Sequence, residues 1–301
     1  MSASRISTGQ IFSNAQSHVA SAREKEIVSS EKASTMKEIV RPSQNPSGWV
    51  QAASLKDDLS IREAIAKNTS LATNVLNTTE MVLSQMQECV QKAQEIAVGS
   101  AGTDDRGAAT RKHSQTELQG IFDAAVQTLN TRYGNRTLFA GLKSQGAAFD
   151  REGNYLGDSN SFEIEIARGL TVPLNISAER YIQGKGTADG VDILTLFKDL
   201  QQGLRMDDPL LVQNTLESFS KANDQISLAR SDLAARMNQL DRALEDTANA
   251  TIDSKDAISK IEDADAIKVF SELARDQTVL RASLQTSQKL LTENPSDILY
   301  K

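Results

Sequence analysis

Between Leu210 and Asn294 the chain contains no glycine and no proline. Apolar residues recur through this stretch at alternating steps of three and four: Phe219, Ile226, Leu233, Met237, Leu240, Leu244, then Ile258 and Ile261. That is the 3.5-residue period of a helix lying along another helix. If continuous it would be about 130 Å long at ~1.5 Å per residue, far beyond the ~10–14 residues of an ordinary globular helix. Such a helix needs a partner of similar length, and the other end of the chain supplies candidates, so the N- and C-termini are expected side by side. Thr247, Thr251 and Ser254 thin the seam for two turns, and after Ile261 its phase slips by one residue. The downstream set is Ala266, Phe270, Leu273, Gln277, Leu280, Leu284 and Leu291, where the earlier frame would use Asp265 and Lys268. A slip rotates the apolar face, so the segment beyond about 262 is expected to meet a different partner, namely residues 5–40.

Those N-terminal residues carry a weak stripe: Phe12, Ala15, Val19, Ala22, Ser29, Ala33, Met36 and Val40, interrupted by Glu26. Most members are small, so the stripe predicts a helix that buries little by itself and is satisfied by neighbours in an assembly. Two prolines and a glycine then break the chain in Arg41-Pro42-Ser43-Gln44-Asn45-Pro46-Ser47-Gly48. Ser47 is expected to cap the next helix, with the only tryptophan, Trp49, on its first turn; Pro42, Pro46, Gly48 and Trp49 read as a domain joint. From about 50 to 98 the heptad is clear, in the lines Val75, Val82, Cys89, Ile96; Ile65, Ala72, Met86, Ala93 with Thr79 as a polar gap; and Leu76, Leu83, Val90, Ala97. This three-in-seven face suits a bundle helix. A further helix is expected over about 104–134, carrying Leu118, Ile121, Phe122, Ala125, Leu129 and Tyr133.

Ten of the sixteen glycines lie between Gly134 and Gly203, and the period falls to two in Phe162-Glu163-Ile164-Glu165-Ile166. With the turn at Ala167–Leu170 and the following Thr171-Val172-Pro173, this predicts a β-hairpin with an edge strand. A short amphipathic helix follows (Val191, Leu194, Phe197, Leu200, Leu204), and Asp208-Pro209 supplies a cap and first position for the long helix. The fold expected is mainly α: a long coiled-coil-like bundle with paired terminal helices and a small inserted β-rich domain. Its expected parts are 1–44 with 262–301, 45–136 with 205–261, and 137–204.

Function classes narrow quickly. Net charge is −7 and no basic run exceeds two or three residues, which argues against nucleic acid. The single cysteine, Cys89, lies in a bundle seam and excludes an intramolecular disulfide framework. No apolar run approaches the ~18 residues of a membrane span, and the first 25 residues lack the apolar core of a cleavable signal peptide. His18 and His113 have neither metal-pair spacing nor a nucleophile beside them, and the Gly-rich region has no phosphate-loop pattern, so neither catalysis nor a cofactor or metal is expected. Glu262-Asp263-Asp265 reads as a solvated acidic face of the helix rather than a cation site.

Several segments carry a resemblance. Arg5-Ile6-Ser7-Thr8 resembles the opening of the bacterial flagellin superfamily, and Pro42–Gly48 resembles the Pro-Ser-Asp-Asp-Pro-x-Gly connector of its hook–filament junction branch. Gly134-Asn135-Arg136-Thr137-Leu138-Phe139-Ala140-Gly141 is similar to the branch's Gly-x-Tyr-Leu-Phe-Ala-Gly segment; Ala148-Phe149-Asp150, Gly153 and Tyr155 follow at similar spacing. Ile261–Asp265 and Leu273, Gln277, Leu280, Ala282, Ser283, Leu284 resemble its C-terminal helix. Gln44-Asn45 replaces the acidic pair of the connector, Thr137 stands where an aromatic is usual, and Met1–Ser4 extends the start. The resemblance implies a structural, extracellular flagellar protein exported unfolded without a cleaved signal peptide. It implies a homo-oligomeric ring touching an adjacent hook-associated protein and flagellin, and a cytosolic export chaperone on the C-terminal helix. The assembly interface is expected at Ile6, Phe12, Val19, Met36, Val40, Phe270, Leu273, Leu280, Leu284 and Leu291, and the motif Leu138-Phe139-Ala140-Gly141 marks the family. Alternatives are a filament subunit, which should carry a Ser-Ser-Gly-x-Arg-Ile-Asn connector instead, and an unrelated helical export or scaffold protein.

Overall fold

The computed structural model describes residues 8–103, 105–143, 145–187 and 189–292. Helix α1 (Thr8–Thr35) is followed by α2 (Pro46–Ser100) and α3 (Asp105–Leu129). The short strands β1 (Arg132–Tyr133) and β2 (Arg136–Thr137) come next, then the hairpin β3 (Glu163–Ala167) and β4 (Leu170–Pro173). The single turn α4 (Ala178–Tyr181) leads to α5 (Ile193–Arg205), α6 (Pro209–Glu262) and α7 (Ala266–Thr292). The fold is mainly helical with a small β part, as its periodicity predicts. Two compact units form, one from the chain up to Ile61 with Ala250 onward, the other from Arg62–Asn249.

In the Arg62–Asn249 unit, α2 and α6 run antiparallel. Arg230 donates to Glu80 and Gln87 (both 2.6 Å), Asn223 to Gln94 (2.9 Å) and Gln213 to the Ala101 carbonyl (2.8 Å), so each step up α2 matches a step down α6. Between them lie Leu76, Leu83, Met86, Phe219, Ile226 and Leu233, all fully buried. Thr79, the gap in the heptad, is buried too; its hydroxyl donates to the Val75 carbonyl one turn back, which satisfies the polar group without a partner helix. Helix α3 packs against α5, and Phe197 of α5 meets Phe219 with ring centroids 6.0 Å apart. The helix starts follow their capping residues: Asp192 accepts from Leu194 and Thr195 at α5, and Asp208 from Leu210 and Leu211 at α6, with Pro209 at the first position.

The expected hairpin is present as β3–β4, with Ile164 opposite Val172, Glu163 opposite Pro173, and Gly169 at φ +77° in its turn. Ile166, Val172 and Leu174 turn inward, while Thr171 donates to Glu163 on the outer face. Another expectation needs correction: α3 does not run to 134. It stops at Leu129 because the Asn130 side chain leaves the helix and pairs with the Phe149 backbone, donating to its carbonyl (2.9 Å) and accepting its N–H (3.0 Å). Tyr133 is therefore in β1, facing Arg136 of β2 across a Gly134–Asn135 turn with Gly134 at φ +57°. The long glycine-free stretch is likewise two helices. The one-residue phase slip falls at the interruption between Glu262 and Ala266.

Candidate assembly interface

Helix α1 stops at Thr35 because Met36 adopts a left-handed conformation, φ +54°. The chain then pairs with the interruption between α6 and α7. Lys37 lies opposite Asp263 in an antiparallel bridge, Glu38 N–H donates to the Glu262 carbonyl (2.7 Å), and Ala264 N–H donates to the Met36 carbonyl (3.0 Å). Beneath this bridge the Glu262 carboxylate is buried, accepting from Lys37 Nζ (2.9 Å) and from Lys56 Nζ of α2. Burial pushes its pKa up, but the hydrogen bonds from Lys56 and Lys37 outweigh that and hold the carboxyl below its ordinary value. Its hydrogen bond to Glu262 raises the Lys37 ammonium pKa in turn. The expectation of a solvated acidic face thus fails at Glu262 alone; Asp263 and Asp265 are exposed. Glu262 is clamped, Asp263 accepts from Ser259 (2.5 Å), and Asp265 caps α7 through Ile267 and Lys268 N–H (2.9 and 3.2 Å).

The joint after the bridge is held by neutral amides. Gln44 Oε1 accepts the N–H groups of Val40 (2.7 Å) and Arg41 (3.0 Å). The cap of α2 is Asn45, not Ser47: its Oδ1 accepts Gly48 N–H at 3.0 Å and Pro46 occupies the first helical position, where a missing N–H costs nothing. Ser47 instead donates to that same Oδ1 (3.0 Å). Gly48 is buried, and a Cβ there would sit 2.6 Å from the Asn45 amide and 2.8 Å from Ile39. Pro42 lies in the exposed turn, and Trp49 is half-buried on the first turn of α2. Lys32–Glu38 (2.6 Å) and Arg41–Glu31 (2.8 Å) tie the end of α1 to the connector.

Helices α1 and α7 pack together, yet the pair buries little. On α1 only Ala22 and Ser29 are fully buried among the described residues, and on α7 only Val269. Among the described residues, those of α7 withdrawn from solvent are Val269, Glu272, Leu273, Asp276, Leu280, Ser283 and Ser287, a line of mixed polarity. Of the apolar line legible in the sequence, Leu273 and Leu280 belong to this withdrawn set, while Phe270, 55% exposed, and Leu284, 45% exposed, face outward. On α1, Phe12 and Ile27 are exposed and Val19 half-buried. Met36 is exposed and Val40 half-buried, both beyond the helix end, and Leu273 and Leu280 are half-buried. Ile6 and the side chain of Leu291 lie outside the described residues. The sequence reading missed Glu262, Lys56, Asn45 and Val269; only the Asn45-Pro46 pair, an N-cap residue before proline, carried a readable signal.

In the other unit the Leu138–Gly141 segment forms an interlocked turn. Leu138, Phe139 and Ala140 are buried, and Gly141 takes φ +67° where a Cβ would collide with the Asp158 backbone and side-chain oxygens at 2.3 Å. The Tyr155 hydroxyl donates to the carbonyls of Phe139 (3.0 Å) and Asp158 (2.8 Å), and Asp158 N–H donates to Ala140 (3.2 Å). Burial, then the nearby Glu179 and Asp158, push the Tyr155 pKa up to about 12, which keeps it a donor. Thr137 is buried, donating to Gly146 (2.6 Å). His18 and His113 are exposed, and burial in the α2 seam pushes the Cys89 thiol up. No cluster of metal-ligating side chains occurs among the described residues.

Comparison with known proteins bears on this arrangement. Residues 6–144 match the family described as the bacterial flagellin N-terminal helical region. Flagellar hook-associated protein 3 of Escherichia coli K12 is 24% identical over 304 residues, 93% of this chain and 94% of that protein. Flagellin of Bacillus subtilis 168 is 23% identical over 282 residues, 89% of this chain and 90% of its own length. Among solved structures, a flagellar hook-associated protein of Vibrio parahaemolyticus shares the fold with TM-score 0.66 at 18% identity, over 73% of this chain and all of that one.

Proposed function

We propose that this chain, which belongs to the bacterial flagellin superfamily, joins hook to filament by self-assembly through its terminal helices. It is a structural component of the flagellum and not an enzyme. The observation that carries the assembly mechanism is the unspent apolar line on α7. Phe270 and Leu284 lie on one side of α7 and stay exposed, on a helix pair whose fully buried residues, among those described, are Ala22, Ser29 and Val269. Exposed apolar lines of this kind mark interaction surfaces, and burial of each such side chain contributes ~1.5–3 kcal/mol.

In this reading copies of the chain form a ring, each covering the Phe270–Leu284 line of a neighbour. One rim of the ring meets a hook-associated protein and the other meets flagellin. Before export, a cytosolic chaperone covers the same α7 line, and the chain leaves the cell unfolded without loss of a signal peptide. The full-length match to hook-associated protein 3 and the Pro42–Pro46 connector favour the junction over the filament. The match to flagellin keeps a filament subunit as the second reading. Immunogold labelling separates them: the junction role puts label at the base of the filament only. Label along the whole filament, or normal filament attachment in a deletion strain, would sink it.

A further inference from the structure

The longest run of the chain without a carboxylate is Ala124–Phe149, and it carries Arg132, Arg136 and Lys143 in a protein of net charge −7. In the Arg62–Asn249 unit this run borders a groove of about 300 Å³, whose apolar lining includes Leu71, Val75, Tyr133, Leu138, Phe162 and Leu174. The Arg136 guanidinium stands at its edge, 4.1 Å above the Phe162 ring. A second hollow beside it is lined by Arg136, Leu142 and Lys143. Among the described residues no carboxylate pairs with Arg136 or Lys143. The groove is therefore apolar inside and open to solvent, with Leu71 46% exposed. Arg136 and Lys143 stand on its rim, where the neighbouring Asp158 carboxylate, beside Gly141, is occupied by the Leu142 N–H (3.0 Å).

The complementary surface is on α6 of the same unit. Asp241, Leu244, Glu245 and Ala248 recur at steps of three and four, so they share one side of the helix, and all four are exposed. This side offers an apolar line flanked by carboxylates. Groove and stripe are different patches of one chain, so their union between copies is a head-to-tail contact, the kind that closes rings or extends helices.

We propose that the groove receives the Asp241–Ala248 side of α6 from a second copy of this chain. Leu244 enters the apolar lining while Asp241 and Glu245 meet Arg136 and Lys143. The idea rests on the self-assembly reading and adds to it a contact outside the terminal helices. Opposed charge at the rim sets register and steers the encounter.

Cross-linking in trans tests it. Full-length chains in a Cys89→Ser background are made in two tagged forms, one with Leu71→Cys and one with Ala248→Cys, then mixed and oxidised. The heterodimer is expected well above a control pair in which Gln91→Cys replaces the groove cysteine; yield at the control level overturns the proposal. Arg136→Glu with Lys143→Glu in the groove copy should lower the yield about tenfold, since like charges then face each other. Asp241→Lys with Glu245→Lys in the other copy should restore it. An undiminished yield refutes the rim contact, and a loss that the α6 reversal does not rescue overturns the pairing of Asp241 and Glu245 with that rim. Circular dichroism of each variant checks that helicity is unchanged. Because these positions lie outside α1 and α7, failure here leaves the terminal-helix reading standing, while normal assembly of a Leu284→Asp chain removes that reading and leaves this one.

Discussion

Glu262 is the residue on which the terminal unit turns. Its backbone carbonyl holds Glu38, its side chain holds Lys37 and Lys56, and its position ends α6. A buried carboxylate is costly unless paired and hydrogen-bonded, and here two ammonium groups supply both. The lysines are themselves nearly half exposed, 43% and 46%, so solvent screens part of the attraction. Glu262→Gln keeps the shape and removes the charge, and it should destabilise the terminal unit by about 1–2 kcal/mol at pH 7. The pH dependence has a definite sign. A carboxyl whose folded pKa lies below its ordinary 4.5 contributes stability above that value and loses it as pH falls through the folded pKa. The gap between wild type and variant should therefore be constant from pH 8 to about pH 5 and narrow below 4.5, as read by urea melts. A gap that widens on acidification would show that the lysines do not hold the charge.

At the scale of the element, α7 carries an apolar line and spends little of it within its own chain. Leu284→Asp should leave the monomer's far-ultraviolet helicity and melting unchanged, because Leu284 is already 45% exposed, while flagella assembled with it lose their filaments. Leu83→Asp should instead unfold the Arg62–Asn249 unit, since it places a charge at a fully buried site at a cost of several kcal/mol. Equal loss of helicity in both variants would show that α7 is part of the folded core. The period of the long helices was legible because each buries a stripe over many turns. The slip after Ile261 marked the place of a change of partner, though phase alone did not reveal that the helix is interrupted there before Ala266. The β3–β4 hairpin was legible from its alternation. The β1–β2 hairpin was not, because two residues per strand carry no period and Asn130 ends α3 through a partner nineteen residues away, Phe149. Nor could spacing tell that Val269 rather than Phe270 would turn inward, since the two are adjacent and both apolar. The burial of Glu262 was invisible for another reason: its partners, Lys37 and Lys56, come from distant parts of the chain.

Over the whole molecule, fully buried apolar side chains are distributed very unevenly. Among the described residues, the unit that contains both chain ends has Ala22, Ile39, Ala52 and Val269, while the Arg62–Asn249 unit has a contiguous core from Ala72 to Ala243 that includes five phenylalanines. Apolar burial contributes ~25 cal/mol per Å², and ordering each residue costs ~1–2 kcal/mol of backbone entropy alone. Helices as long as α1 and α7 with so little buried between them therefore sit near the threshold of stability, whereas the other unit lies well above it. Local opening should follow that order. Hydrogen exchange of the free chain is expected to show α1 and α7 exchanging together and first, with the Glu38 and Ala264 amides marking the point where protection begins. Amides between Ala72 and Ala97 and between Val212 and Leu240 should be slowest. Addition of assembled partner copies should then protect α1 and α7 without changing the slow set. Uniform protection along α7 and α2 in the free chain would mean that the terminal helices need no neighbour, and the exposed Phe270–Leu284 line would lose its explanation.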